Sequence, residues 1–236
     1  MASPSVTQSN INTDNSKSSI SMTMPAFSGT DNIWCVVATE KNSSTTLAVN
    51  SVTSSGLTFT KIFEQAGSLG GIPYTVSVWC APLGPGDGSG SLSAQSTTVA
   101  LSASCDAFVC CFFGTKGTAS NNPVSQDPNV SMPAFSAATN PSVTISTDRP
   151  HDLLLCAAVT NSGSFGGRPA EFTSIQSGHT WPVNYTGLDC GYLSESTTQS
   201  SVTFTPTTGT NTNELLVLAI TADAAGATRV FAAQIG

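Results

Sequence analysis

Four short stretches of this chain are apolar without interruption: Ile33-Trp34-Cys35-Val36-Val37-Ala38, then residues 108–113, 153–159 and 215–220. Each is bounded by turn material and is too short for an average helix, so each fits a strand buried on both faces. In a two-layer sandwich only one face of a strand meets the core. The outer faces of these runs therefore need a cover: a loop, the N-terminal segment or another subunit. That requirement raises the expectation of an oligomer or a lattice contact.

Between the runs lie segments that alternate: Ser19-Ile20-Ser21-Met22-Thr23-Met24, then residues 57–62, 74–80, 97–101, 142–145 and 201–204. Strict alternation predicts a strand with one face in the core and one in water. Gly, Pro and Asn separate nearly all of them, as in Pro82 to Gly90, Asn161 to Gly167 and Pro206 to Asn213. Ser and Thr number 35 and 32 of 236 residues, and charged residues make up only 9%. Thr and Val suit a pleated, half-buried surface, whereas helix formers such as Glu, Lys, Arg and Gln are scarce. The expected fold is all-β: a two-sheet antiparallel sandwich with pseudo-repeated halves.

The halves are expected at about residues 19–115 and 141–222, as two sheets of one sandwich or as two small sandwiches, with one body favoured: a single domain spanning 19–236 that ends in a C-terminal tail. Residues 19–23 and 33–39 parallel 142–146 and 153–160. Residues 57–62 match 171–175, and 74–84 with Cys80 match 185–194 with Cys190. A repeated Met-Pro-Ala-Phe-Ser, at 24–28 and 132–136, sits differently relative to the strands of each half and reads as chance. Residues 1–18 are polar and without period, and read as an N-terminal arm.

A net charge of −7 leaves no basic patch able to neutralise a row of phosphates, which argues against nucleic acid and anionic membrane surfaces as partners. The start lacks a basic n-region and an apolar h-region, so the expectation is a chain made and folded in a cytoplasm. No apolar run reaches the length of a membrane-spanning helix. Seven cysteines is an odd number, so at least one is free or pairs between chains. Most lie mid-strand in apolar company, and small buried hydrophobes is the first reading of them. Disulfides formed in an oxidising medium, or a reactive thiol or metal site, are the alternatives.

The motif search identifies no catalytic, cofactor-binding or metal residues, and no cofactor is expected. There is no His-Glu-x-x-His helix, no phosphate-cradling Gly-Lys-Ser/Thr loop and no Gly-x-Ser-x-Gly elbow. His151, within Asp148-Arg149-Pro150-His151-Asp152, reads as a charged turn before a core strand, although an Asp–His pair there is able to orient an imidazole. His179 lies beside Trp181, a ring that can stack on a sugar. Glu64, Glu171 and Asp189 are isolated, whereas glycoside hydrolysis needs two carboxylates flanking one bond. Asp87-Gly88 offers one carboxylate, too little for calcium. The sequons at Asn42, Asn129 and Asn184 matter only along a secretory route.

Residues 33–38, Gly56-Leu57-Thr58-Phe59-Thr60, Val78-Trp79-Cys80-Ala81 and Phe112-Phe113-Gly114 together resemble phage virion structural proteins of the jelly-roll type, over about residues 19–222. That resemblance implies a non-enzymatic bacteriophage component: a capsid decoration or cement protein binding coat subunits, or a head or tail accessory. Members are commonly trimers, so a homo-oligomer and a virion location are expected, with the arm 1–18 as docking segment. The group shares no site motif, so no functional residue carries over. The alternatives are a carbohydrate-binding sandwich, lectin-like or part of a receptor-binding fibre, with Trp181 or Trp79 as stacking platform, and a hydrolase on the same scaffold.

Overall fold

A computed structural model describes residues 4–41, 46–69, 72–84, 88–118, 134–138, 141–147, 152–160, 167–179, 187–194, 197, 202–205 and 214–220. Among these there is no helix. The first half runs β1 (Ser5–Asp14), β2 (Ser19–Met24), β3 (Phe27–Ser28), β4 (Asn32–Glu40), β5 (Val49–Ser54) and β6 (Leu57–Thr58). It continues through β7 (Thr60–Leu69), β8 (Ile72–Pro82), β9 (Ser91–Leu92), β10 (Gln95–Leu101) and β11 (Ala107–Lys116). The second half holds β12 (Ala134–Ala137), β13 (Val143–Ile145), β14 (Leu153–Thr160), β15 (Thr173–His179), β16 (Gly187–Ser194), β17 (Val202–Phe204) and β18 (Glu214–Ile220).

All pairings are antiparallel. The first half has a large sheet, β1-β11-β4-β8-β7, and a small one, β2-β10-β5-β6. Setting β7 and the short β3–β9 pair aside leaves eight strands in the order first, eighth, third, sixth against second, seventh, fourth, fifth. That is the winding of a jelly roll. The described strands of the second half follow it: β12-β18-β14-β16-β15 has the same connectivity as the first large sheet, and β13-β17 that of β2-β10. The sequence parallels at 19–39 and 142–160, and at 74–84 and 185–194, fall on these equivalent strands. The two Met-Pro-Ala-Phe-Ser copies do not. One contributes to β3 and the other to β12, which occupies the place of β1.

The layering corrects the two-sheet expectation. Alternate residues of each continuous run enter different cores. Ile33, Cys35 and Val37 of β4, with Phe108, Cys110 and Phe112 of β11, face the small sheet of their own half. Leu154, Cys156 and Ala158 of β14 do the same in the second half. The opposite parity, Trp34, Val36, Val109, Cys111 and Phe113 from one half with Leu153, Leu155, Leu188, Leu216 and Leu218 from the other, forms a third core between the two large sheets. The molecule is thus four layers deep, small sheet, large sheet, large sheet, small sheet, and the halves share the central core. The second apolar face of each run is covered by the other half of the same chain. It supplies no argument for a second subunit.

Two further expectations change. Residues 5–14, read as part of a polar arm, form an edge strand: β1 pairs with β11 from Ser5↔Lys116 to Asp14↔Phe108, with one bulge between Val6 and Ser9. Its other side lies against β15, where Ser9 Oγ donates to the Ile175 carbonyl at 3.4 Å and accepts from Gln176 Nε2 at 3.1 Å. β8, expected to keep one face in water, is buried from Pro73 to Ala81. Its polar positions are satisfied locally: Thr75 Oγ1 donates to the Leu47 carbonyl at 2.5 Å, and Ser77 Oγ accepts from Trp79 Nε1 at 3.0 Å. Water does meet the outer face of the small sheet, where Ser19, Ser21, Thr23, Thr53 and Ser96 are exposed. Part of the hydroxyl-rich composition resides there.

Candidate functional site

A hydrogen-bonded loop assembly surrounds Asp31, which is fully buried at the entry to β4. One carboxylate oxygen accepts the Gly88 N–H at 2.6 Å. The other accepts the N–H of Gly117 at 2.7 Å and of Thr118 at 3.4 Å. The Asp31 carbonyl accepts from Leu83 at 2.7 Å and Gly84 at 3.0 Å, and its own N–H donates to the Thr115 carbonyl at 2.7 Å. Gly88 and Gly117 hold φ of 73° and 70°, a left-handed backbone that presents their N–H groups and that a side chain resists.

One residue therefore ties three segments together: the turn before β4, the loop after β8 and the exit of β11. Behind it, Asn32 Nδ2 donates to Thr118 Oγ1 at 2.9 Å, and the Thr118 and Thr115 hydroxyls lie 3.0 Å apart. Trp34 Nε1 donates to Thr115 Oγ1 at 3.0 Å, which links this loop end to the core between the halves. Ser28, Ser89 and Lys116 stand exposed on its rim. An aspartate engaged by backbone N–H donors is poorly placed to bind metal or take a proton from substrate. What the arrangement does is hold a loop surface in one shape.

The acids singled out from the sequence have structural partners. Asp189, nearly buried in β16, receives Arg168 Nη1 at 3.1 Å on each oxygen and the Arg168 N–H at 3.0 Å, while Arg168 Nε donates to the Phe172 carbonyl at 2.9 Å. Glu64 Oε2 accepts the Val49 N–H at 3.0 Å and Lys61 Nζ at 2.9 Å, fastening β7 to the start of β5. Glu171 is exposed. Trp79 is 5% exposed and packs in the first half's core, so it offers no stacking platform. That part of the carbohydrate expectation is withdrawn. His179 ends β15 opposite Gly187. Asn42, Asp87, Asn129, His151, Trp181 and Asn184 lie outside the described residues.

No protein-family model, curated protein or solved structure matches the chain.

All seven cysteines are buried and unbridged. Burial pushes the thiols of Cys80, Cys105, Cys110 and Cys156 up, and Cys190 is pushed up by its hydrogen bond with Cys111 and by burial. A thiol held protonated is a poor nucleophile and a poor metal ligand. Among the described residues no group of three or more His, Cys, Asp or Glu is arranged to hold a metal ion. Asp31 and Arg168 each carry a polar cluster, and neither stood out in the sequence. A Gly-Thr-Asp turn before an apolar strand is the only local signal for the first, and it is a common one.

Proposed function

We propose that this chain is a non-enzymatic structural protein of a virion, a capsid decoration or cement protein that binds neighbouring coat subunits through a preshaped loop end. The observation that carries the reading is the Asp31 assembly, in which loops far apart in sequence are fixed by one buried carboxylate. Loops held rigid before contact lose little conformational entropy on docking. The jelly-roll winding agrees with the resemblance carried by residues 33–38, 56–60, 78–81 and 112–114. Apolar surface is spent on three internal cores, which leaves a hydroxyl-rich exterior. Attachment would then rest on shape and neutral hydrogen bonds at the loop ends. A stable attachment needs about 1,000 Å² or more of buried surface, which a loop end supplies by bridging two coat subunits. Trimeric self-association belongs to the same proposal, with its contact placed outside the large sheets.

The test is co-sedimentation with purified particles. The chain should travel with particles, and the rim variant Ser28→Arg/Lys116→Glu should lower bound copies at least tenfold with an unchanged melting temperature. Particles that carry no copy of the chain, or rim-variant binding at the wild-type level, would overturn the proposal. Deletion of residues 1–18 is an unsuitable test, because it removes β1 from the fold.

A further inference from the structure

Cys35 and Cys110 lie on the neighbouring strands β4 and β11 and point into the same core. Cys35 is opposite Phe112, and Cys110 is opposite Val37, so the two are offset by two residues and share one face of the sheet. Their Sγ atoms are 3.4 Å apart, and both residues are fully buried. A disulfide needs the sulfurs at about 2.05 Å, so they must approach by little more than an ångström, and because cross-strand neighbours offset by two residues stand about 7–8 Å apart, closure also requires the two strands to shift. The adjacent Cys111 faces the other way, into the core between the halves, where it meets Cys190.

We propose that Cys35 and Cys110 are an oxidation site, closed to a disulfide by a small uncharged two-electron oxidant such as hydrogen peroxide. The inference stands on side-chain geometry and is independent of the function proposed above. In the first step a cysteine thiolate attacks one peroxide oxygen, the O–O bond breaks, and a sulfenic acid forms as hydroxide leaves and takes up a proton to become water. In the second step the partner thiolate attacks the sulfenic sulfur, and its hydroxyl leaves as a second water. Two thiols and one peroxide thus become one disulfide and two waters. Only the thiolate reacts, and burial pushes the Cys110 thiol up, so the reaction awaits local opening of the sheet and speeds up as pH rises. Once formed, the bond joins two neighbouring interior strands of the large sheet and closes a long loop, which restricts the unfolded chain.

The experiment compares full-length protein kept in reductant with protein treated with hydrogen peroxide at pH 7 and pH 9, then alkylated unfolded and mapped by non-reducing peptide mass spectrometry. The expected result is a Cys35–Cys110 linked peptide, formed faster at pH 9, with two fewer titratable thiols per chain. The oxidised protein should melt roughly 5–10 °C higher, an increase that reductant reverses. Cys35→Ala should abolish the link and leave Cys110 as a thiol or sulfenic acid. Because the linked peptide is read on the unaltered chain, poor folding of that variant leaves the test intact. Retention of seven thiols at both pH values, or a disulfide confined to other pairs, would overturn the proposal.

Discussion

Asp31 exchanges the hydration of a carboxylate for backbone N–H donors at Gly88, Gly117 and Thr118, an exchange that is favourable only while the donors stay in place. Asp31→Asn keeps the shape but turns one oxygen into a donor that faces another donor. The expected loss is on the order of 2–4 kcal/mol, a fall in melting temperature of roughly 4–16 °C for a chain of this size. Thermal denaturation followed by circular dichroism checks it. A melting temperature within about 1 °C of wild type would mean that the loops hold themselves. None of this was legible beforehand, because Gly88 and Gly117 lie 57 and 86 positions from Asp31 and no local pattern joins them. Trp79 misled for a related reason. Its segment alternates like a half-exposed strand, yet the intervening Ser77 is buried and serves the indole N–H. A buried, satisfied serine and a solvated one look alike in sequence.

Elements were far more legible than their partners. The continuous runs at 33–38, 108–113, 153–159 and 215–220 are the strands β4, β11, β14 and β18, each lined on both sides as their pattern requires. Hydrophobic periodicity reports that a face is dry and says nothing of what dries it. The cover here is a second copy of the same jelly-roll winding. β1 was invisible for the opposite reason: an edge strand held by its backbone ladder needs little side-chain periodicity, and only Val6 and Ile11 pack against the central core. Removing residues 4–14 strips β11 of that ladder and uncovers one side of the core. The expected cost is on the order of 4 kcal/mol or more, a drop of roughly 8–16 °C in melting temperature, with light scattering reporting self-association through the bared β11. Edge-to-edge growth of this kind, beyond any closed trimer, should be absent from the intact chain, whose long edges are bulged at Val6/Ser9 in β1, Lys61/Phe63 in β7 and Ser174/Gln176 in β15. A bulged edge pairs poorly with another chain.

At the scale of the whole molecule, the core between the large sheets draws on both halves, so neither half can melt without exposing the other. One cooperative transition is expected by calorimetry, and Leu155→Ala should lower it as a unit, by about 2–5 kcal/mol, without splitting it. Two resolved transitions would mean that the halves are energetically separate. The buried thiols give the same molecule a pH limit. Five of them have raised pKa values in the folded state, Cys80, Cys105, Cys110 and Cys156 through burial and Cys190 through its bond to Cys111 and burial. Unfolding releases each to an ordinary value near 8.5, about where the thiol starts to lose its proton. Below that pH both states are protonated and the thiols add no pH dependence. Above it the unfolded chain binds fewer protons than the folded one, so stability falls as pH rises. A thiol that ionises only in the unfolded chain contributes a slope of about 1.4 kcal/mol per pH unit, and the four held farthest up, Cys80, Cys110, Cys156 and Cys190, together approach about 6. The melting temperature should therefore be flat from about pH 7 to 8 and fall steeply between about pH 9 and 10, with Cys80→Val removing about a quarter of that slope. A melting temperature that holds level to pH 10 would show that these thiols ionise inside the fold, which dry cores of this kind do not allow.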